Sequence, residues 1–277
     1  PSARYDPDIL AFYNRHGRTA PLQTKRGCTH RCAYCTYPLL EGRAVRCRPP
    51  RAIVDDMDRV VRECGVEQVF FTDSVFNDDA GTYLDILREL KNRRLHIPWC
   101  AFLKPEPFDE ATLDLMLETG LRAVELGSDA STDATLAGLQ KSFRFADIVD
   151  CDRRLGDRGV PVAHYYMFGG PGETRATVLE GIRNITGLDR AVAFMFMGIR
   201  ILPGTPLEAT ALARGLLRPG QDLLEPVYYL EPSLDREWLQ ETLAEGFRGH
   251  RRCVFPPDAF ERQVRLLHQL GYSGMLW

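Results

Sequence analysis

Lys25-Arg26-Gly27-Cys28-Thr29-His30-Arg31-Cys32-Ala33-Tyr34-Cys35 places three cysteines within eight residues. With three and then two residues between them, one short loop supplies three thiolates to a compact metal centre and leaves a cubane iron–sulfur cluster one ligand short. Such clusters are normally held by four cysteine thiolates. A metal that works as a catalyst needs an open coordination position, the logic that separates catalytic from structural zinc sites. The missing ligand marks the place for chemistry. A structural zinc site calls for a second Cys or His pair at zinc spacing, and the neighbouring sequence has none. Disulfides are the other reading of an even count of eight cysteines. The chain is long and has no apolar targeting segment at its start, so reduced cysteines in the cytoplasm fit better. Cys47, Cys64, Cys100, Cys151 and Cys253 are scattered singly and read as small hydrophobes.

At 277 residues and 44% hydrophobic, the chain can bury a large core. A net charge of −3 gives no overall drive toward nucleic acid or anionic membrane and leaves local patches open, and nucleic acid is not expected as a partner. No apolar run approaches the roughly 20 residues of a bilayer span, so a transmembrane protein is not expected. The sequence opens on Pro1 rather than methionine, compatible with N-terminal material having been cut away.

Leu22-Gln23-Thr24-Lys25 reads as a first strand running into the cysteine loop, with Gly27 permitting the turn. Ile53, Met57, Val60 and Val61 recur at helical spacing and predict a helix from Arg51 to Cys64 that Gly65 stops, followed by a buried strand at Val69-Phe70-Phe71-Thr72. Further strands are expected at 99–103, 123–126, 162–168 and 193–199, with helices at 80–92, 109–118, 145–155 and 174–185. Strands alternating with helices imply an α/β parallel sheet, and periodicity does not choose between a doubly wound sheet and a barrel. Beyond residue 205 the rhythm breaks. Helical patterns near 206–214, 235–248 and 257–270 predict a C-terminal extension anchored by Tyr228, Tyr229, Trp238 and Trp277.

Ligands in parallel α/β folds sit at the carboxyl ends of strands, and unusual residues gather there in this chain. The second strand exits into Asp73-Ser74-Val75-Phe76-Asn77-Asp78-Asp79. A carboxylate here suits an ammonium group, and Asp73 or Asn77 as a turn cap is equally open. The fourth strand exits through Glu125-Leu126-Gly127-Ser128-Asp129, where Glu125 either points inward or pairs with a cation, and Lys141 follows in Leu139-Gln140-Lys141-Ser142. The fifth carries His164, Tyr165 and Tyr166 and ends in Met167-Phe168-Gly169-Gly170-Pro171-Gly172-Glu173-Thr174, glycines that let backbone approach a ligand. Only alternate residues of that strand face inward, so a core role is open for each of the three. Arg200 lies at the end of the sixth strand.

The cysteine triad, with an aromatic just before its last member, resembles the signature of the radical S-adenosylmethionine (radical SAM) superfamily. That resemblance implies a partial (β/α)6 TIM-like barrel over residues 22–205, after an N-terminal extension of 1–21 and before the helical extension of 206–277. It implies a [4Fe-4S] cluster on Cys28, Cys32 and Cys35 that chelates the amine and carboxylate of S-adenosylmethionine. An electron from a donor such as flavodoxin or ferredoxin then cleaves the carbon–sulfur bond, and a 5′-deoxyadenosyl radical abstracts hydrogen from substrate. Asp73 and Ser74 stand where relatives carry Gly-Gly-Glu against the amino group. Asp129 and Glu125 fall near the ribose and methionine groups, and Lys141 falls against the carboxylate. Gly169 and Gly170 match the adenine segment, Tyr34 lies against the adenine, and Arg200 reaches Asp129, Glu125 or a substrate anion. His164, Tyr165 and Tyr166 are the candidates for substrate contact or proton handling.

Four stretches carry a closer resemblance, to the catalytic half of cobalamin-dependent radical SAM proteins, which include lipid and natural-product methylases. They are Thr24–Cys28, Asp73–Asn77, Phe168–Glu173 and Gly198–Thr205. Those relatives add an N-terminal cobalamin-binding domain of on the order of 100 residues, and about twenty residues precede the first strand here. Cobalamin then sits on a removed domain or a separate subunit, or is not used. The activity implied is C-methylation or radical rearrangement of a small lipid or natural-product intermediate. The competing reading is a non-catalytic cluster- or S-adenosylmethionine-binding module that serves another subunit.

Overall fold

A computed structural model describes residues 4–106 and 108–272, so the expected anchor Trp277 lies outside the described residues. The chain begins with α1 (Pro7–His16) and β1 (Thr19–Leu22), and then forms a small hairpin of β2 (Lys25–Arg26) and β3 (Arg46–Cys47) that brackets the cysteine loop and α2 (Tyr37–Leu40). The α/β alternation follows: α3 (Pro50–Cys64), β4 (Gln68–Phe71), α4 (Thr82–Asn92), β5 (Trp99–Leu103), α5 (Glu110–Glu118) and β6 (Leu121–Asp129). Next come α6 (Asp133–Gly138), α7 (Phe145–Asp157), β7 (Val162–Phe168), α8 (Arg175–Thr186), β8 (Val192–Met197) and β9 (Ile199–Arg200). The C-terminal part contributes α9 (Pro206–Ala213), β10 (Tyr228–Tyr229), α10 (Arg236–Gly246), β11 (Cys253–Val254) and α11 (Glu261–Gln269).

Local chemistry sets these boundaries. Pro50 opens α3, where its missing N–H costs no helical bond, and Gly65 closes it in the left-handed conformation. Side-chain oxygens of Asp109, Thr132, Thr174 and Asp235 accept backbone amides at the starts of α5, α6, α8 and α10. Ile53, Val54, Met57 and Val60 form the buried stripe that seats α3 on the sheet.

The main sheet has seven strands in the order β1-β4-β5-β6-β7-β8-β11, and each neighbouring pair is parallel. A doubly wound sheet reverses its order at a switch point. This order never reverses, so right-handed crossovers place the crossover helices on one face and the sheet curls away from them. Among the described residues β1 and β11 do not pair, and the barrel stays open: the partial TIM-like barrel that the resemblance implies. The helix-facing side is fully buried and includes Phe71, Trp99, Leu126 and Met195. The concave side carries a more accessible set of aromatics. Phe70 meets Phe102 edge-on at 5.3 Å, and Tyr165 stacks on Phe194 at 5.4 Å.

Several expectations need correction. The first strand starts three residues earlier than expected and contains Pro21, which an edge strand tolerates. Strand β8 stops at Met197 because Gly198 takes φ +80°, and Ile199–Arg200 turns away to pair antiparallel with Tyr228–Tyr229. The seventh strand, β11, is two residues long and too short to show periodicity. Among the described residues no helix is long and apolar enough to cross a membrane.

Candidate active site

The cysteine loop is held by its backbone. Gly27 sits at φ +95°, and a Cβ there would lie 2.2 Å from the carbonyl oxygen of Ala44, so only glycine fits the entry. Glu41 accepts from the Gly27 amide at 3.1 Å and from Gln23 at 2.9 Å. Further along, Ala33 donates to Leu139 at 3.0 Å and accepts from Leu207 at 2.8 Å, which ties the loop to the segment after α6 and to the start of α9.

Cys28, Cys32 and Cys35 are free thiols, the first buried and the others half-buried. Burial pushes the Cys32 and Cys35 thiols up in pKa, so a bare thiolate is disfavoured and a bound cationic metal would offset that cost. Among the described residues no group of three His, Cys, Asp or Glu side chains converges as a single ion requires. A cubane that binds each thiolate through a different iron does not need that convergence. The donor set fits a cluster.

All three cysteines line a cavity of about 770 Å³ at the carboxyl end of the sheet, within the size range of small-molecule sites. Asp73, from the exit of β4, is buried at its floor. Its carboxylate accepts the amides of Thr24 at 2.7 Å and Lys25 at 3.1 Å and the Thr24 hydroxyl, and burial outweighs these bonds to raise its pKa. The residue that the sequence offered as an ammonium acceptor or a turn cap thus ties the start of β2 to the exit of β4 while also lining the cavity with Ser74.

Beside the thiols, Lys141 forms an ion pair with Asp129 and places its ammonium 3.5 Å from the Cys32 sulfur and 5.8 Å from the centre of the Tyr34 ring. Burial opposes the charge on Lys141, but Asp129 and Cys32 outweigh it and hold the pKa above its ordinary value. Asp129 points inward because the β6–β7 register shifts after Leu126 and Asp129 adopts φ +62°. Burial, with Asp129 alongside, keeps the Tyr34 hydroxyl well above its usual pKa.

Further into the cavity, Glu125 points inward and takes a hydrogen bond from Tyr165, whose pKa is raised by burial and by that carboxylate. His164 and Tyr166 do not line it. The His164 ring is wholly buried on the helix side, 2.7 Å from the Ser128 hydroxyl and 3.2 Å from Asp152, with Tyr166 stacked beside it. Gly169 and Gly170 also lie outside the lining. Their amides donate to Glu173, and a Cβ on Gly169 would lie 2.3 Å from Leu230, so the space beside the glycine is filled by the chain itself. Arg200 is exposed on β9 and, among the described residues, makes no ion pair, while Asp129 is already paired with Lys141.

Lys104 was missed. It immediately follows β5, is buried, lines the cavity, and forms ion pairs with Glu106 at 2.5 Å and with Asp79. Asn77 clamps its backbone from both sides at 2.8 and 2.9 Å. The strand-end rule applied to the third strand of the alternation would have found it.

Residues 22–185 match the radical SAM superfamily. The tryptophan 2-C-methyltransferase of Streptomyces laurentii is 30% identical over 72% of this chain and 35% of its own length. The hopanoid C-2 methylase of Rhodopseudomonas palustris is 26% identical over 67% of this chain and 36% of its own. The chain therefore spans little more than a third of these curated relatives. Among solved structures, the radical SAM methyltransferase TsrM of Kitasatospora setae, with cobalamin and a [4Fe-4S] cluster bound, superposes with a TM-score of 0.83 at 25% identity, over 97% of this chain and 60% of that one. The cobalamin-dependent radical enzyme OxsB shares the fold at a TM-score of 0.61 and 13% identity. A match over more than half of the chain, on a barrel with three free thiols at its mouth, makes this protein a member of the radical SAM superfamily, whose cofactors are a [4Fe-4S] cluster and S-adenosylmethionine.

Proposed function

We propose that this chain is the radical SAM part of a cobalamin-dependent methyltransferase that methylates a carbon of a small natural-product intermediate with an aromatic or otherwise flat apolar body. The observation that carries the reading is one cavity lined both by the three thiols and by Phe102, Tyr165 and Glu125. The methylase relatives support the reaction class, and the TsrM structure solved with a tryptophan substrate and an S-adenosylmethionine analogue supports a ring-bearing substrate. When bound, the cluster would supply one-electron chemistry and cobalamin would supply a methyl carrier.

In this proposal Cys28, Cys32 and Cys35 hold the cluster. Lys141 meets the carboxylate of S-adenosylmethionine, Asp129 accepts from its ribose hydroxyls, and Tyr34 lies against a flat face of the nucleoside. Ser74, beside the braced Asp73, faces the methionine end. The aromatic wall excludes water and orients the substrate ring. Tyr165, protonated at neutral pH, keeps its proton on the hydroxyl and donates to Glu125, which leaves Glu125 to accept an N–H or O–H of the substrate. Residues 228–269 complete the wall of the barrel beside β8, and cobalamin comes from a further domain or subunit.

The test is anaerobic reconstitution with iron and sulfide, followed by S-adenosylmethionine, reductant, methylcobalamin and candidate ring substrates. Iron content, S-adenosylmethionine binding and methylated product are compared with a Cys32→Ala control. We expect all three to be lost in the control. Binding and turnover that survive Cys32→Ala would sink the proposal, and a loaded wild type that binds S-adenosylmethionine but never turns it over would point to a binding module.

A further inference from the structure

Asp129 stands in a conformation that its own backbone does not favour. It sits at φ +62° in the middle of a tight turn, closed by the Ala130 amide donating to the Ser128 carbonyl at 2.7 Å. For a residue with a side chain this is the rare and strained hand of such a turn, and strain of this kind persists only where the surroundings enforce it. Inside the cavity Lys141 pairs with the Asp129 carboxylate. That pair holds the side chain and leaves the backbone to be held from elsewhere.

The flanking residues carry that restraint. Ser128, directly before Asp129, is wholly buried, with its hydroxyl 2.7 Å from Nδ1 of His164 on β7. Nε2 of the same ring lies 3.2 Å from the carboxylate of Asp152 on α7. A carboxylate accepts, so Nε2 donates to Asp152, and in the neutral ring Nδ1 accepts from the Ser128 hydroxyl. Past the turn, the Asn184 side-chain amide on α8 donates to the Ser131 carbonyl at 2.7 Å. The strained turn is thereby tied to a helix on either side of it. The serine–histidine–aspartate order is that of a nucleophilic triad, but all three side chains are buried and none lines the cavity, so no acyl group reaches the hydroxyl.

We propose that His164 is a positioning residue: through Ser128 it carries the anchorage of α7 to the turn and so holds Asp129 where its carboxylate meets the ribose of S-adenosylmethionine. The inference rests on the ribose role given to Asp129 above. A ring bonded at both nitrogens cannot rotate without leaving a buried polar partner unpaired, so it fixes the place of Ser128 between strand and helix. Asp152 in turn fixes the ring. The histidine that the cavity excludes thus acts on the ligand through the residue that the cavity displays.

The experiment measures the Kd of S-adenosylmethionine on anaerobically reconstituted protein at matched iron content, together with the melting temperature. The variants are Asp129→Ala, His164→Leu, the double Asp129→Ala/His164→Leu, Asp152→Ala and Asp152→Asn. A further variant, Leu155→Ala, removes a wholly buried side chain of α7 outside the hydrogen-bonded chain. His164→Leu should weaken binding about tenfold and Asp152→Ala severalfold, whereas Asp152→Asn, which keeps an acceptor for Nε2, should stay within about twofold of wild type. The double variant should bind no more weakly than Asp129→Ala alone, because the histidine acts through that carboxylate. Leu155→Ala should lower the melting temperature at least as far as His164→Leu does and leave Kd unchanged, which separates positioning from loss of stability. Wild-type affinity in His164→Leu, additive losses in the double variant, or equal weakening in Leu155→Ala would each overturn the positioning role. Wild-type affinity in Asp129→Ala defeats the ribose reading and this proposal together, whereas weakening in Asp129→Ala with none in His164→Leu defeats the positioning alone.

Discussion

Lys141 puts one ammonium against Asp129, the Cys32 sulfur and the Tyr34 ring. Its side chain and that of Asp129 are mostly shielded from water, so removing one partner strands a charge. Lys141→Met should cost about 3 kcal/mol of stability, at the low end for a broken buried pair. The double variant Asp129→Asn/Lys141→Met should recover most of it, as read from urea midpoints. A single-variant loss below about 1 kcal/mol would show that water replaces the lysine. Glu173 makes a second prediction. Burial raises its pKa from 4.5 to about 7 although the Gly169 and Gly170 amides favour the charged form. The folded state therefore keeps the proton longer than the unfolded chain does. That contribution is fully present below pH 4.5 and is lost as pH rises through 7, a swing of about 3 kcal/mol. Glu173→Gln keeps an acceptor for the amides and removes the ionisation. Its stability relative to wild type should rise between about pH 4.5 and 7; an unchanged difference would contradict the assignment. At this scale the group of three thiols was legible because its spacing is local. The choice of Tyr165 over His164 and Tyr166 was not, because both faces of a buried parallel strand are apolar and the sequence carries no mark of which parity faces the lumen.

The cysteine loop depends on the β2–β3 hairpin that frames it, and the hairpin depends on Gly27. Gly27→Ala places a methyl 2.2 Å from the Ala44 carbonyl oxygen at φ +95°, so the turn must open. Strain of this kind costs of order 1–3 kcal/mol, and here it falls on the segment that aims the three thiols. Reconstituted iron per chain should drop by more than about half, with a smaller change in melting temperature. Full iron loading in the variant would show that the loop does not need this entry geometry. Among the regular elements, β5 and β7 span 99–103 and 162–168 as the sequence indicated, since each is a continuous apolar run between breakers. The hairpin itself was illegible. Two-residue strands have no period, and their pairing is set by the turn and by the Glu41 contacts.

Strand order is a property of the whole molecule, and periodicity was silent on it. The barrel became an expectation only through the cysteine triad, and the unreversed sheet order then confirmed it. The C-terminal helices were legible as helices, but their part in the core was not, because it depends on contacts between distant segments. Leu239, Leu243 and Phe247 of the α10 region pack with Phe168, Val178 and Met195 in one buried cluster. Beyond them β11 pairs with Ala193 and Phe194 of β8, and Phe260 meets Phe194 edge-on at 5.4 Å. Deleting residues 251–277 would strip this cover and leave β8 as an unpaired apolar edge, the kind of edge that templates pairing with another chain. The truncated protein should melt roughly 5–10 °C lower, taking a loss of about 2–3 kcal/mol for a domain of this size, and should scatter light as it self-associates. A monomeric truncation with unchanged melting would mean that α10 alone closes that side of the barrel, and that β11 adds pairing the core does not need.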